Sequence, residues 1–248
     1  MLKKAFLAAT LCATASFASW DRFPVLENHK GEFAVGVNFS KLGERMWLLP
    51  FVGSRYTVVP NLELGVSIPY YIRLYKSNVN GLANPRFMVR YQFLPMLNAF
   101  LNVRVPISND PYNYSDWAFN FGTQYSQNFG VVDFGSELGL TVCTRGDDKE
   151  SPPLHLNFGA EADFNLGIPL TPFIGANVLM RIGKYTYKGK NYGKSYTGDF
   201  VVRPYAGLKY AINSNVSVQT SVITELGKEE VVGPETLIGV TLELKVSF

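Results

Sequence analysis

Disulfide bonds are excluded by arithmetic. The 248 residues hold two cysteines, and Cys12 lies in a leader that the chain is expected to lose, so Cys143 has no partner. Cys12 follows Leu11 rather than a small residue, which argues against lipidation there. Also missing is any run of the roughly 20 apolar residues that a membrane helix needs. Helical membrane proteins are thereby excluded, although 47% of the residues are hydrophobic. Neither charge dominates: once Lys3 and Lys4 are removed, the 23 basic residues become 21 against 20 acidic ones. Nucleic acid is therefore not a suggested partner. No His, Cys or Asp spacing fits a dedicated metal site, and no motif implies a cofactor. Charged residues make up 17% of the chain and aromatics 14%. Many short alternating strands produce an oily composition without oily runs.

At the N-terminus, Lys3 and Lys4 precede an apolar stretch from Ala5 to Phe17 with small residues at Ser16 and Ala18. That pattern predicts a signal peptide, residues 1–18, cut after Ala18, with 19–248 as a single domain. At the other end, Ile238, Val240, Leu242, Leu244, Val246 and Phe248 share one face, and Gly239, Thr241, Glu243, Lys245 and Ser247 the other. Period 2 means a strand with one oily and one wet face. It resembles the last strand of bacterial outer-membrane proteins, whose terminal Phe is read by the barrel assembly machinery.

Similar alternation places strands near 32–40, 46–58, 62–74, 85–94, 97–107, 116–126, 130–143, 154–164, 170–182, 199–212, 215–226 and 237–248. Most have the 9 to 11 residues, or slightly more, of a tilted membrane strand. Their connections alternate between tight turns (59–61, 95–96, 127–129, 165–169, 213–215) and stretches that are usually longer and more polar (75–84, 108–115, 144–153, 183–198, 227–236). Short periplasmic turns and long outer loops mark an up-and-down membrane barrel. The expected fold is all-β: a closed antiparallel transmembrane β-barrel of about 12 strands in a Gram-negative outer membrane, with strand one against strand twelve, because unpaired edge amides in lipid are costly. Closure should bring Glu32 and Lys245 together. Tyr91, Phe93, Tyr125, Phe164, Tyr210 and Phe248 should form an aromatic girdle near the turns, and Tyr70, Trp117, Phe119 and Phe200 one near the loops.

If the oily faces meet lipid, the other faces line the lumen. Arg73, Arg86, Arg90, Arg104, Asp133, Glu137, Glu161, Asp163, Arg181 and Arg203 are then the pore-lining candidates. Arginines dominate strands two to five and acids strands seven and eight, which predicts charges of opposite sign facing each other across the interior. Such a field would orient polar solutes; a salt-bridge network filling the barrel is the alternative. Register can be guessed from turns. A number sum near 428 sets Arg203 opposite Glu225 and Lys209 opposite Gln219. A sum near 298 sets Cys143 opposite His155, Thr141 opposite Asn157 and Glu137 opposite Glu161. The first group could hold a nucleophile, a base and an orienter, though coincidence explains it as well. The acid pair calls for a cation, with Arg90 or Arg104 expected to supply it.

The run 61–70, Asn-Leu-Glu-Leu-Gly-Val-Ser-Ile-Pro-Tyr, with Gly81-Leu-Ala-Asn-Pro-Arg86 and the strand end Val89-Arg-Tyr-Gln-Phe93, resembles the outer-membrane transporters linked to the meta-cleavage pathway of phenol degradation. Ala83 and Asn84 stand where that family has Gly and Asp, and Val103-Arg-Val-Pro-Ile107 echoes a further motif. The resemblance implies passage of solutes across the outer membrane and carries no binding residues. The expected function is a porin-like channel or transporter for small hydrophilic or amphipathic solutes rather than an enzyme, with a plugged structural or adhesive barrel as alternative and an outer-membrane hydrolase behind it. Lys184, Lys188, Lys190 and Lys194 interleave with Tyr185, Tyr187, Tyr192 and Tyr196 in the loop 183–198, where they could contact lipopolysaccharide or serve as a solvated lid.

Overall fold

Strict alternation leaves each strand with two unlike faces, and burial shows which way they point. Arg55, Glu63, Arg90, Gln124 and Arg203 are buried, while Phe33, Val52, Leu64, Phe87, Leu138, Phe158 and Leu242 are exposed. Polar side chains turn inward and apolar ones outward, the reverse of a water-soluble sandwich. The computed structural model describes residues 22–74, 80–107, 116–145, 149–192, 197–227 and 235–248. The leader 1–18 and its cleavage site lie outside the described residues.

Twelve antiparallel strands make the wall: β1 (Gly31–Leu42), β2 (Arg45–Val59), β3 (Leu62–Arg73), β4 (Arg86–Leu94), β5 (Leu97–Arg104), β6 (Ala118–Asn128), β7 (Val132–Cys143), β8 (Leu154–Phe164), β9 (Leu170–Ile182), β10 (Phe200–Ala211), β11 (Val216–Thr224) and β12 (Leu237–Ser247). Each pairs with its neighbours in sequence, and β12 pairs with β1 from Glu32↔Ser247 to Leu42↔Leu237. Closure satisfies the edge amides. The start of β1 and the end of β12 lie at the short-turn end, where Gly31 N donates to Phe248 O at 2.8 Å and Phe248 N to Gly31 O at 2.9 Å. Register shifts at Thr57/Val59 and Gln92/Leu94 place bulges at this rim, a common site for them.

The opposite rim carries the longer loops. Tyr185–Tyr187, Lys190–Tyr192 and Glu150–Ser151 form a small separate sheet above it. The Lys188 ammonium lies 5.3 Å from the Tyr187 ring centroid; Lys194 and Tyr196 fall outside the described residues. Leu42, Trp47, Tyr71, Ala83 and Leu237 form a buried apolar cluster near this rim, on the β12, β1, β2 and β3 side. Outward aromatics sit toward both rims: Tyr91, Phe93, Tyr210 and Phe248 at the turns, Tyr70, Trp117 and Phe200 at the loops. Trp117 stacks on Phe119 at 6.3 Å.

Candidate functional site

Lumen-facing ions are linked strand to strand in alternating sign. Lys245 Nζ on β12 lies 3.9 Å from Glu243 and 4.0 Å from Glu32 on β1. Arg55 on β2 reaches Glu32 at 3.1 Å and Glu63 of β3 at 3.7 Å. Arg90 on β4 holds Glu63 at 2.9 Å and donates Nε–H to Gln124 Oε1 on β6 at 3.1 Å. Gln124 Nε2 then donates to Glu137 Oε2 on β7 at 2.7 Å. Removing one member would strand its neighbour's charge, so the chain holds together as a unit.

The remaining link comes from outside the wall. Residues 22–30 leave β1 at the turn end and run into the lumen. Leu26 N donates to Glu63 Oε2 at 3.1 Å, Val25 N to Gln92 Oε1 at 3.0 Å, and Thr57 Oγ1 to Leu26 O at 2.9 Å. Arg90 also donates to Phe23 O. The segment ends its described course at Arg22, against β8 to β10. There Arg22 donates to the Tyr205 hydroxyl and to Asn177 Oδ1, and lies 3.5 Å from Glu161 Oε2. Tyr205 donates to Glu161 Oε2 at 2.5 Å. Two lumen-facing glycines make room: a Cβ at Gly135 would come within 2.8 Å of Arg22 Cβ, and one at Gly159 within 2.6 Å of its guanidinium.

Toward the loop end from Arg22 the lumen opens into a recess whose lining includes Arg86, Arg104, Asn120, His155, Asn157 and Arg203. Arg104 Nη2 pairs with Asp116 at 3.3 Å, and Arg203 Nη2 with Glu225 at 2.6 Å.

The chain superposes on an outer-membrane channel from Pseudomonas putida F1 with a TM-score of 0.73 at 12% identity, covering 91% of this chain and 98% of that one. It superposes on the translocator domain of the autotransporter NalP from Neisseria meningitidis with a TM-score of 0.60 at 11% identity, over 98% and 96% of the two chains. For the NanC porin the TM-score is 0.58 at 7% identity, over 86% and 98%. The fold is that of an outer-membrane β-barrel. No family model matches the sequence, and no curated protein does.

Inside that barrel several expectations hold. Glu32 and Lys245 meet at the turn end, Lys209 stands opposite Gln219, and Arg203 binds Glu225. Others are corrected. The β7–β8 register sums to 296, not 298, so His155 faces Thr141 and Glu137 faces Gly159, while Glu161 faces Gly135. Cys143 does not stand directly opposite His155, although Asn157 Nδ2 still reaches Thr141 Oγ1 diagonally at 2.7 Å. The cation that answers Glu161 is Arg22, not Arg90 or Arg104, whose carboxylates are Glu63 and Asp116. The expected separation of signs across the interior gives way to pairing between neighbouring strands, because adjacent side chains reach each other and opposite walls are filled by the segment 22–30.

The other candidates are scattered. Arg73 stands opposite Trp47 at the loop end of β3, Arg86 opposite Arg104, and Arg181 opposite His155. Asp133 and Asp163 face each other at the turn end, where Asp133 accepts from Asn128 and Asn165, each at 2.5 Å. Sequence reasoning missed Arg22, which carries no strand pattern. The signal it left is the pair Gly135 and Gly159, bare positions on the wet faces of adjacent strands.

Proposed function

We propose that the protein is an outer-membrane channel for small hydrophilic or amphipathic solutes, narrowed by its own residues 22–30. The observation that carries this reading is the polar, ion-paired lumen wall with an open recess beyond Arg22. In this reading the leader 1–18 directs export and is cut after Ala18, and the termini and short turns face the periplasm. The outward aromatics meet the lipid interfaces, with lipopolysaccharide at the loop rim, and Phe248 is read by the assembly machinery. Membership of the meta-cleavage transporters is part of the proposal, supported by the 61–70 and 81–93 motifs. No catalytic step and no cofactor are assigned.

The same segment favours a second reading, a sealed structural barrel. Single-channel recording in planar bilayers separates the two. A channel gives small discrete steps that enlarge in Arg22→Ala, whose segment has lost its anchor on β8 to β10. Silence from both proteins, with folding checked by heat-modifiable gel mobility, would establish the sealed barrel.

A further inference from the structure

The recess wall is not alike all round, and between β5 and β9 its character comes from carboxamides. Asn102 stands directly opposite Asn120, and Asn120 opposite Thr141. Asn157 Nδ2 donates to Thr141 Oγ1 at 2.7 Å and to Asn120 Oδ1 at 3.5 Å. Asn177 stands opposite Arg203 and accepts from Arg22. All four asparagines line the one recess. A carboxamide offers two donors and an acceptor oxygen with two lone pairs, so the bonds within this belt use only part of what it presents.

Two of the arginines here bring little net charge. Arg104 is held by Asp116 at 3.3 Å and Arg203 by Glu225 at 2.6 Å. Each guanidinium has five N–H donors, and after pairing it acts toward a solute as a neutral cluster of donors. With Arg86 and Glu137 also on the lining, the wall offers closely spaced donors and acceptors together with charges of both signs. An apolar solute would strip water from these groups and replace none of its hydrogen bonds, a loss counted for every buried polar atom. At Arg104 and Arg203 a free carboxylate would have to compete with Asp116 or Glu225. A hydroxyl, which donates and accepts from one atom, replaces water at such a wall with the least loss, and neighbouring hydroxyls can do so at several points together.

We propose that the recess is a binding subsite for an uncharged saccharide or related polyol, held chiefly by Asn120 and Asn157. The inference rests on the channel reading for the solute's access to the lumen; the binding itself does not require conduction.

The test is saturation-transfer NMR on the full chain in micelles of an amine-oxide detergent, which brings no sugar of its own. Maltose, glucuronate and hexanoate serve as probes. Wild-type protein should saturate maltose more strongly than either acid, and the double variant Asn120→Leu, Asn157→Leu should reduce the maltose signal about tenfold while keeping heat-modifiable mobility. Should the double variant fail to fold, Asn157→Ala alone should still weaken the signal severalfold. The proposal falls if wild type gives no maltose signal, if the folded variants match wild type, or if glucuronate binds better than maltose. A barrel that conducts in bilayers but ignores maltose overturns this inference alone; one that binds maltose but never conducts overturns the channel reading alone.

Discussion

Arg22 brings a full charge into the lumen on a segment that has no strand partner, and its position depends on what is missing beneath it. At Gly159 the atoms that a new Cβ would meet belong to the guanidinium, the far end of a flexible side chain. At Gly135 they are Arg22 Cβ at 2.8 Å and its carbonyl oxygen at 3.0 Å, which cannot swing aside. Gly135→Val should therefore lift the segment out of its groove and leave the wall folded, whereas Gly159→Ala should be milder. In a Cys143→Ser background, a Val25→Cys thiol should react with a membrane-impermeant maleimide about tenfold faster once Gly135 is Val, equivalent to about 1.4 kcal/mol of easier local opening. Unchanged labelling would mean that Glu63 and Gln92 hold the segment without help from Arg22. Beyond the two bare glycines, the sequence carries no sign of this. Periodicity identifies the faces of strands, and a short irregular stretch crossing a lumen has no period.

Between strands, what was legible depended on the connection. Asn213 Oδ1 accepts from Asn215 N at 2.8 Å and from Val216 N at 2.9 Å, a side-chain-locked turn that pins β10 against β11. The sum of 428 expected there is the one found. The connection from β7 to β8 is ten residues long, too long for turn chemistry to fix the pairing, and the observed register differs from the expected one by two. Parity survived because a slip of two keeps every side chain on its face, whereas a slip of one would turn the oily face inward. So alternation fixes the face a side chain occupies, and the connection fixes which residue stands opposite it. The observed register has a direct check. Thr141→Cys with His155→Cys, in a Cys143→Ser background, places two thiols on directly opposed positions about 4.5 to 5.5 Å apart at Cα, within disulfide reach. Mild oxidation should crosslink that pair and alter its gel mobility. Efficient crosslinking of native Cys143 to His155→Cys instead would restore the register of 298.

For the molecule as a whole, near-neutrality is built from local pairs rather than from a distant balance. Alternating signs along Lys245, Glu32, Arg55, Glu63 and Arg90 leave little net field across the lumen. Wild-type conductance should accordingly show weak ion selectivity. Arg90→Ala with Arg104→Ala uncovers Glu63 and Asp116, so the pore should become cation-selective. Reversal potentials under a salt gradient measure this, and the shift should shrink toward 1 M salt, where the Debye length is about 3 Å. Selectivity that stayed put would mean that ions pass elsewhere than along these walls. The barrel itself was the most legible level, since twelve alternating runs, an even strand count and the lipid's intolerance of open edges leave few other closures. The seam between β1 and β12 has one more consequence. Gly31 and Phe248 exchange two hydrogen bonds, so a short linker from residue 248 to residue 31 would turn the wall into a covalent hoop that could be reopened at any outer loop. Such a circular permutant would omit residues 22–30 entirely and would show whether the container closes without its filling.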